Sequence, residues 1–410
     1  MKVAGIVCEY NPFHNGHKYH IRKTRENGAT HIVAVMSGNF VQRGDVAIMD
    51  KFERARVAVQ NGVDLVLELP VPYVLQSAEG FARAAMYIFN SIGCVDELSF
   101  GSECGDLEKL IDAAHATIKV ADTPELKFML DNGASFPAAV QALVEKNYGK
   151  AMSDLLEVSN ANNVLAIEYI KAISNLNSKI VPFTIKRKNA GHDDLNVKEN
   201  FASASFIRQN VTDINYSDLM PADMFETLSQ AVKAGKYASM ANLEKAIMYC
   251  MRTNSPSRLR EVPDVAQGLE NRIFEARTAS TVSEMMDMIK NKRYTLARIR
   301  RIILCALLGI TTDDLKTPPV YARILAVNER GTDILHIAKE KSRMPMATSL
   351  ARLSEINAVA KRLAELESFS TDIYNLAMDR PDPIGTDYRA KVSVIQTLTN
   401  SLSENLDIPV

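Results

Sequence analysis

A chain of 410 residues with 47% hydrophobic and 24% charged residues is long enough for about two to three domains, and this composition excludes disordered and fibrous proteins. No apolar stretch approaches the roughly 20 residues that a membrane-spanning helix needs. The formal net charge is -1. The whole chain therefore has no electrostatic preference for nucleic acid, and any such contact has to come from a local patch.

Strand and helix patterns alternate over the first 100 residues. Short apolar runs predict strands at residues 2–8, 31–36, 64–69 and 97–100, and amphipathic spacing predicts helices at 16–27, 50–61 and 77–90. Strand, helix and strand at this spacing form right-handed crossovers. The pattern therefore predicts an α/β fold with a Rossmann-like parallel sheet whose two faces are covered by helices.

Helical spacing dominates the rest of the chain. Residues 105–175 are predicted to be mostly helical, followed by a strand at 179–185 and a polar loop at 186–200. Beyond residue 201 the predicted helices lie at 220–233, 241–252, 265–276, 296–308 and 356–368, with a short apolar segment at 320–327 after Pro318 and Pro319. We place a domain boundary near residue 215, between an α/β domain at 1–215 and a mainly helical domain at 216–410.

Cysteine usage indicates a reducing compartment. The five cysteines stand at positions 8, 94, 104, 250 and 305 and form no CxxC pair. The N-terminal residues contain no apolar signal-peptide core and no cleavage site. We therefore expect reduced thiols and a cytoplasmic location.

The turn after the first predicted strand is the main candidate for a functional site. Residues 14–17 read His-Asn-Gly-His and lead directly into a predicted helix. Such a helix presents free N–H groups and a positive dipole end to an anion, and two imidazoles can add donors, which favours phosphate binding. Two other interpretations stay open. Four of the seven histidines lie between residues 14 and 31, which also suits a metal site, and His14, His17 and His20 could simply cap, pack or face solvent.

A second polar element stands about 190 residues later. Residues 201–208 read FASASFIR and place Ser203, Ser205 and Arg208 at the start of another predicted helix. By themselves they form a helix cap. Together with the upstream turn, they form a candidate second clamp in which hydroxyls and a guanidinium hold phosphates.

These two elements resemble the nucleotidylyltransferase superfamily, which shares its adenylate-forming HxGH chemistry with class I aminoacyl-tRNA synthetases. Longer sequence segments, which include these two elements and others, are similar to the bacterial tRNA(Met) cytidine acetate ligase family. The similarity is carried by EYNPFHNGHKYH at 9–20, MSGNFVQRGD at 36–45, FGSECGD at 100–106, NNVLAIEYIKA at 162–172 and KRYTLARIRRIIL at 292–304.

The resemblance implies an ATP-dependent enzyme that makes acetyl-adenylate from acetate and transfers the acetyl group to N4 of the wobble cytidine in elongator tRNA(Met). It implies that His14 and His17 are catalytic. Mg²⁺ is expected because ATP normally carries it, and no metal ligands are assigned. The implied ATP contacts are Val7, Glu9, Asn11, Phe13, His14, Asn15, Gly16, His17, His20, Gly101, Asn162, Asn163, Arg187, Ser203, Ser205 and Arg208.

Several of these residues also have an ordinary structural interpretation. Gly101 could belong to a plain strand-to-helix turn, and Asn162 and Asn163 could cap a helix. Arg187 is the stronger candidate, because a phosphate needs a cation and arginine supplies a planar fork. The loop at 37–45 is either a solvated surface loop or a recognition site for acetate, nucleotide or cytidine.

A local basic segment is the candidate RNA-binding surface. Residues 288–303 contain six positive charges and no acid, which suits a surface that follows phosphates, and Tyr294 could stack on a base. The alternative is the solvated face of an amphipathic helix that packs through its isoleucines. The basic residues are Lys290, Lys292, Arg293, Arg298, Arg300 and Arg301.

Two other functions remain open at this point. A small-metabolite adenylyltransferase could use the same HxGH chemistry without RNA, and a regulatory protein could bind ATP without turnover. The length of the chain argues against the first, because that reaction needs little beyond the α/β domain.

Overall fold

The computed structural model describes residues 1–187, 203–212, 216–266 and 268–396. Most of the predicted polar loop at 186–200, the first two residues of the FASASFIR element and the predicted boundary near residue 215 lie outside these ranges.

The described residues contain ten strands and twenty α-helices. The strands are β1 Val3–Cys8, β2 His31–Ser37, β3 Phe40–Val41, β4 Asp45–Val46, β5 Leu65–Leu69, β6 Glu97–Ser102, β7 Val181–Lys186, β8 Ala322–Asn328, β9 Met346–Ala347 and β10 Ser393–Ile395. The helices are α1 Asn15–Glu26, α2 Lys51–Gln60, α3 Val71–Val74, α4 Ala78–Ile92, α5 Leu107–Ala121, α6 Pro124–Asp131, α7 Phe136–Tyr148, α8 Lys150–Ser153, α9 Ala161–Asn175, α10 Ala204–Gln209, α11 Ala222–Ala234, α12 Glu244–Thr253, α13 Pro256–Glu261, α14 Leu269–Ala276, α15 Val282–Ile289, α16 Leu296–Leu308, α17 Glu329–Lys341, α18 Leu350–Ser354, α19 Ala358–Asn375 and α20 Thr386–Arg389.

The main sheet has the strand order β10-β8-β5-β2-β1-β6-β7, and β9 pairs with β8. All neighbouring strands in it are parallel except β5 and β8, which are antiparallel. Its five N-terminal strands follow the Rossmann order 3-2-1-4-5. The predicted Rossmann-like α/β fold is confirmed.

Alternation along the buried strands explains how the sheet is covered. Val33 and Val35 of β2 pack into the core on one face, against residues of α4 and α9. Ile32 and Ala34 pack into the core on the other face, against α1 and α2. Successive side chains of a strand point to opposite faces, so an apolar run with no polar alternation is what a sheet covered on both sides requires.

The C-terminal half of the chain contributes to the same sheet. The apolar segment at 320–327 forms β8, which pairs with β5. In this pairing Ala326 of β8 lies opposite Val66 of β5. A separate apolar core joins α12, α14, α15 and α16 with α19. The division at residue 215 stays a prediction, but residues on both sides of it build the sheet.

The strand order determines where a ligand can bind. β1 lies between β2 and β6. From β1 the chain continues to β2 on one side, whereas from β6 it continues to β7 on the other side. The carboxyl ends of these two strands therefore border the crevice in which open α/β sheets bind ligands. The HNGH turn comes after β1, separated from it by residues 9–13, and residues 103–105 follow β6.

Candidate active site

The HNGH turn caps helix α1 with its own histidines. His14 is the N-cap, and its Nδ1 accepts a hydrogen bond from the Gly16 N–H at 3.0 Å. In return, the Nδ1 of His17 accepts from the His14 N–H at 3.2 Å. A neutral imidazole that accepts at Nδ1 carries its proton on Nε2. His14 and His17 therefore cap helix α1, as one of the interpretations of the sequence held. This arrangement is compatible with phosphate binding through two Nε2–H donors.

The two imidazole rings are held as a stacked pair. Their centroids lie 3.8 Å apart at an interplanar angle of 27°. Burial lowers the pKa of His17 well below its ordinary value, and the charges of His14, Arg187 and His20 lower it further. Burial and the Arg187 charge also lower the pKa of His20, to about 4. His17 and His20 are therefore neutral at physiological pH.

Gly16 is required by His14. A Cβ at this position would lie 2.7 Å from His14 Cε1 and 2.9 Å from His14 Nδ1. Any side chain there would displace the imidazole that caps the helix. The missing Cβ of Gly16 thus leaves room for the neighbouring histidine.

Aromatic packing and backbone contacts support the turn. Phe13 is fully buried, and its ring lies 4.9 Å from Tyr10 and 5.5 Å from His17. Asn11 is also buried, and its Oδ1 accepts from the Ile48 N–H at 2.7 Å. Phe13 and Asn11 therefore hold the turn in place from below.

Three more residues of the predicted ATP set have protein partners on this side. Glu9 Oε1 accepts from the Gln42 N–H at 2.8 Å, and burial raises the pKa of Glu9. Asn15 Nδ2 donates to the Asp218 carbonyl at 2.8 Å. Val7, in β1, is half-buried beside the sheet core.

The opposite side of the crevice is built by residues 103–105, α9 and the end of β7. Glu103 caps α9 because its carboxylate accepts from the backbone N–H groups of Asn162 and Asn163, at 3.2 and 2.7 Å. Asn163 is buried and returns the contact, with Oδ1 accepting from the N–H groups of Glu103 and Cys104 at 2.9 and 3.2 Å. The asparagine pair thus holds the loop after β6.

Arg187 enters the crevice from the end of β7. Its Nη1 donates to Asn162 Oδ1 at 3.4 Å, and its Nε is buried without a hydrogen-bond partner among the described residues. Its aliphatic stem lies over Gly101, where a Cβ would be 3.3 Å from Arg187 Cγ. Its positive charge lowers the pKa of His17 and of His20, so the guanidinium lies within electrostatic range of the HNGH turn.

Helix α10 brings the second predicted element to the HNGH turn. Ser203 caps this helix, with Oγ accepting from the Phe206 N–H at 3.1 Å. Arg208 Nη1 donates to the Asn11 carbonyl at 2.7 Å, and Nη2 donates to Ser205 Oγ at 3.3 Å. The structure therefore places the FASASFIR helix beside the turn, as the two-clamp hypothesis requires.

The loop between β2 and α2 covers the same edge of the sheet and reaches the basic segment. Its residue Gly44 has a φ of +76° and packs so closely on α16 that a Cβ would lie 2.6 Å from Arg300 Cβ. The charges of Arg208 and Arg300 both act on Asp45, although burial raises its pKa overall. Asp45 therefore lies within electrostatic range of both Arg208 of α10 and Arg300 of α16.

The six basic residues divide into exposed and buried ones. Lys290, Lys292 and Arg300 are exposed. Arg301 is 8% exposed and forms an ion pair with Asp264 at 3.5 Å, which removes it from any surface that follows phosphates.

The remaining two basic residues are partly occupied. Arg298 donates to the Asp264 carbonyl at 2.6 Å and lies over the Tyr294 ring, and Arg293 donates to the Leu130 carbonyl at 3.2 Å. Tyr294 is buried, so the expectation that it stacks on a base is wrong. The described segment thus agrees in part with each interpretation. It contains an amphipathic helix that packs on the protein, and it has a smaller exposed cationic face than the sequence indicated.

No metal cluster or membrane helix is found in the described ranges. No group of three or more His, Cys, Asp or Glu side chains there could hold a metal ion. No helix in the same ranges is both long and apolar enough to cross a membrane. The described cysteines are all free thiols.

Sequence reasoning missed two residues that shape the site. Glu103 stands inside the FGSECGD segment, but its partners lie about sixty positions away and leave no local pattern. Arg54 is fully buried and donates to the carbonyls of Glu9, Ser37 and Gly38, so it joins the carboxyl ends of β1 and β2.

The chain is similar to known proteins over most of its length. A family model described as HIGH Nucleotidyl Transferase matches residues 1–387. The chain is 38% identical over 399 residues to the tRNA(Met) cytidine acetate ligase of Acetivibrio thermocellus, covering 93% of this chain and 96% of the relative. It is 40% identical over 388 residues to the protein of that name from Caldicellulosiruptor bescii, covering 92% and 94%.

Solved structures extend the likeness to the whole fold. Thermotoga maritima TmcAL bound with alpha-thio ATP superposes with a TM-score of 0.88 at 30% identity, over 97% of this chain and 100% of that one. The apo form of the same protein gives a TM-score of 0.89 at 30% identity over the same shares.

Proposed function

Because the chain belongs to the tRNA(Met) cytidine acetate ligase family of HIGH nucleotidyl transferases, we propose that it activates acetate on ATP and acetylates N4 of the wobble cytidine of elongator tRNA(Met). The observation that carries the proposal is the HNGH turn itself. Both histidines accept at Nδ1 from the backbone, which fixes two Nε2–H donors at a helix N-terminus beside Arg187.

The first step is adenylate formation. A carboxylate oxygen of acetate attacks the α-phosphorus of ATP, and pyrophosphate leaves. Negative charge builds on the phosphates, so the catalytic work is positioning and preorganised electrostatics. His14 and His17 donate to the phosphates from the turn, and Arg187 adds the cation. Its buried Nε, which lacks a partner in the described residues, is the type of donor that an anionic ligand satisfies.

The second step transfers the acetyl group. The N4 nitrogen of cytidine attacks the acetyl carbonyl carbon of the mixed anhydride, the bond to the phosphate oxygen breaks, AMP leaves, and N4 loses one proton. Ser203 and Arg208, which α10 brings beside the turn, hold the other side of the nucleotide. The exposed cations of the basic segment, Lys290, Lys292 and Arg300, meet the RNA phosphates.

Mg²⁺ accompanies ATP in this proposal. The described residues offer no cluster of three or more ligating side chains, and Mg²⁺ in nucleotide sites typically uses substrate phosphates, waters and one or two carboxylates. The ion therefore fits as part of the bound nucleotide, where it neutralises phosphate charge.

The alternative of a small-metabolite adenylyltransferase is not favoured. The identity to the ligase relatives covers more than nine-tenths of the chain and thus includes the region beyond residue 215, which that simpler reaction does not need.

Two measurements test the proposal. The first is exchange of labelled pyrophosphate into ATP, which we expect to depend on acetate; exchange without any carboxylate contradicts the acetyl-adenylate step. The second incubates the protein with ATP, acetate and unmodified elongator tRNA(Met) and analyses the nucleosides by mass spectrometry. A cytidine without the added acetyl mass contradicts the RNA assignment, even where exchange occurs.

A further inference from the structure

The acetyl transfer step has a chemical demand that the HNGH turn does not meet. The lone pair of the cytidine N4 is delocalised into the ring, so N4 is a weak nucleophile and needs a base that takes its proton as the new bond forms. His14 and His17 accept at Nδ1 from the backbone and therefore carry their protons on Nε2. They act as donors toward the crevice, and the proton acceptor has to be another group.

Most carboxylates of the loops after β2 and β6 have other tasks. Asp50, Glu103 and Asp106 accept from backbone N–H groups at the N-termini of α2, α9 and α5. Asp45 lines a separate cavity whose other walls come from α12, α15 and α16. Glu9 differs from these acids, because it is the first residue after β1 and stands at the strand end that leads to the HNGH turn.

The backbone and one side-chain oxygen of Glu9 are fixed by neighbouring elements. In the parallel pairing of β1 with β2, Cys8 lies opposite Met36, so Glu9 leaves the sheet beside the end of β2. Its carbonyl accepts from Arg54 Nη1, and its Oε1 accepts from the Gln42 N–H at 2.8 Å. These contacts hold the carboxylate at the carboxyl ends of two adjacent parallel strands, where open α/β sheets bind their ligands.

The second oxygen of Glu9 is left for a ligand. Oε2 accepts no hydrogen bond from the residues that the structure describes, and the side chain is half-buried, not enclosed. The next residue, Tyr10, has its ring 4.9 Å from the ring of His17, so the carboxylate belongs to the same strand end as the proposed phosphate donors. Because a carboxylate repels phosphate oxygens, it suits a proton acceptor better than the ATP contact that the resemblance implied.

The surroundings of Glu9 favour proton uptake. Burial raises the pKa of Glu9, and this effect outweighs the hydrogen bond from the Gln42 N–H and the charges of three arginines, which lower it. A carboxylate with a raised pKa is a stronger base. The charged and titratable groups within electrostatic range of Glu9 are Arg208 of α10, Arg54 of α2, Arg43 of the β3–β4 turn, Tyr169 of α9 and Cys8 of β1.

We propose that Glu9 is the general base of the acetyl transfer step. N4 of the cytidine attacks the acetyl carbonyl carbon and forms the C–N bond, and one N4 proton moves to Glu9 Oε2. The bond between the acetyl carbon and the phosphate oxygen breaks, and AMP leaves with that electron pair. Glu9 then releases the proton to solvent. The inference rests on the proposed function and adds the residue that moves the proton in its second step.

Chemically prepared acetyl-adenylate isolates the transfer step from adenylate formation. Full-length protein, in excess over unmodified elongator tRNA(Met), is mixed with acetyl-adenylate in the absence of ATP and acetate, and the acetyl mass on cytidine is followed over a single turnover. Glu9→Gln keeps an oxygen that accepts from the Gln42 N–H but cannot take up a proton. It should slow the transfer by about 100-fold or more, as expected for loss of a general base. Transfer at the wild-type rate overturns the proposal.

The pH profile of the same reaction distinguishes a base from a structural residue. Below the raised pKa of Glu9 the wild-type rate should fall about ten-fold per pH unit, because only the ionised carboxylate accepts a proton. Glu9→Asp should keep this fall at a lower overall rate, and Glu9→Gln should lose it. A rate for Glu9→Asp that does not depend on pH overturns the proposal.

Two further acids complete the comparison. Glu79, exposed on α4, supplies the matched control, and Glu79→Gln should keep both the wild-type rate and its fall at low pH. Asp45 is the rival base in the loop after β2. If Asp45→Asn loses the fall at low pH while Glu9→Gln keeps it, the base is Asp45 and the proposal is overturned.

Acetate-dependent pyrophosphate exchange separates this inference from the proposed function. Glu9→Gln should retain the exchange, because the base acts only after the adenylate has formed, and that retention shows that the variant is folded. Loss of exchange in a variant that unfolds in urea like the wild type assigns Glu9 to the nucleotide site and overturns the inference. A wild type that neither exchanges pyrophosphate nor transfers the acetyl group contradicts the proposed function. A wild type that does both, with Glu9→Gln equally active, contradicts the inference alone.

Discussion

His14 combines two tasks in one imidazole. Nδ1 caps helix α1 by accepting from Gly16 N–H, and Nε2 is the proposed phosphate donor. The two tasks respond differently to substitution, because asparagine is also a good N-cap but cannot reach as far as the distal nitrogen of histidine.

This difference gives the first prediction. His14→Ala and His14→Asn should both slow acetate-dependent pyrophosphate exchange by about 100-fold, which corresponds to roughly 3 kcal/mol of lost transition-state stabilisation. Only His14→Ala should also lower the free energy of unfolding in urea, by about 1 kcal/mol. Normal exchange in the asparagine variant would show that the histidine acts only as a cap.

His20 gives the second prediction, on pH. Its pKa is lowered from 6.5 to about 4 in the folded protein, and its Nε2 lies 3.0 Å from Ser99 Oγ. Between these two values the unfolded chain binds a proton that the folded chain does not, so His20 costs stability as the pH falls from 6.5 toward 4. Above pH 6.5 this cost is absent.

His20→Gln keeps a group that can hydrogen-bond to Ser99 and does not titrate. The free energy of unfolding of the wild type, relative to this variant, should therefore fall by at most about 3 kcal/mol between pH 6.5 and pH 4. Urea denaturation of both proteins across that range measures the difference. A difference that does not vary with pH would contradict the lowered pKa.

At the scale of elements, the loop after β6 depends on α9. Glu103 caps the helix and Asn163 accepts from two N–H groups of the loop, so each holds the other in place. The loop at residues 103–105 borders the crevice beside Arg187, which means that its position affects the proposed nucleotide site.

The third prediction follows from this reciprocal contact. Asn163→Ala leaves the N–H groups of Glu103 and Cys104 without their acceptor, which should lower the free energy of unfolding by about 1–3 kcal/mol. It should also raise the KM for ATP in pyrophosphate exchange more than it lowers kcat, because the loop positions the nucleotide without reacting. Asn147, exposed on α7, supplies the control: Asn147→Ala should change neither quantity.

The elements themselves were largely predictable where local patterns decide them. The apolar runs of β1, β2 and β5 gave strands whose observed ends differ from the predicted ones by only one residue, and the helix at 296–308 was predicted with its observed bounds. The HNGH turn was predicted at the carboxyl end of β1. Apolar periodicity reports burial along the chain, and these elements are buried in the way that it indicates.

Features that depend on distant partners were not predictable. The sequence of the segment at 320–327 indicated only that it is apolar. Its antiparallel pairing with β5 is a contact across more than 250 positions, and no local sequence signal encodes that pairing. The same holds for Glu103 and Arg54. Tyr294 and Arg301 were expected at an RNA surface because their chemistry suits it, but Tyr294, just before α16, and Arg301, within α16, are both buried.

At the scale of the whole molecule, a buried ionic cluster ties the two halves of the chain together. Lys51 of α2 contacts Asp387 at 2.8 Å and Glu367 at 3.5 Å, and Arg323 of β8 also pairs with Asp387. Glu68 of β5 completes the set by pairing with both cations. All five side chains are at most 2% exposed. The cluster thus joins residues on both sides of position 215.

The cluster holds two cations and three carboxylates, and the pKa values show how the imbalance is accommodated. Burial, reinforced by the charge of Glu68, raises the pKa of Glu367 well above its ordinary value. The pKa of Asp387 is lowered despite its burial, because Lys51 and Arg323 stabilise its charged form. The environment therefore favours the protonated form of Glu367 and the charged form of Asp387.

The last prediction uses this difference between two acids of the same cluster. Asp387→Asn removes the carboxylate that both cations share and leaves buried charge unpaired, so the free energy of unfolding at pH 7 should fall by about 3–5 kcal/mol. Glu367→Gln replaces an acid whose raised pKa favours the neutral form by a neutral amide of the same shape, and it should cost less than about 1 kcal/mol. Relative to the wild type, the glutamine variant should gain stability as the pH rises above 4.5, because the unfolded wild type then releases a proton that the folded protein retains. Urea denaturation from pH 5 to pH 8 measures both effects, and equal losses in the two variants would contradict the assignment of the proton to Glu367.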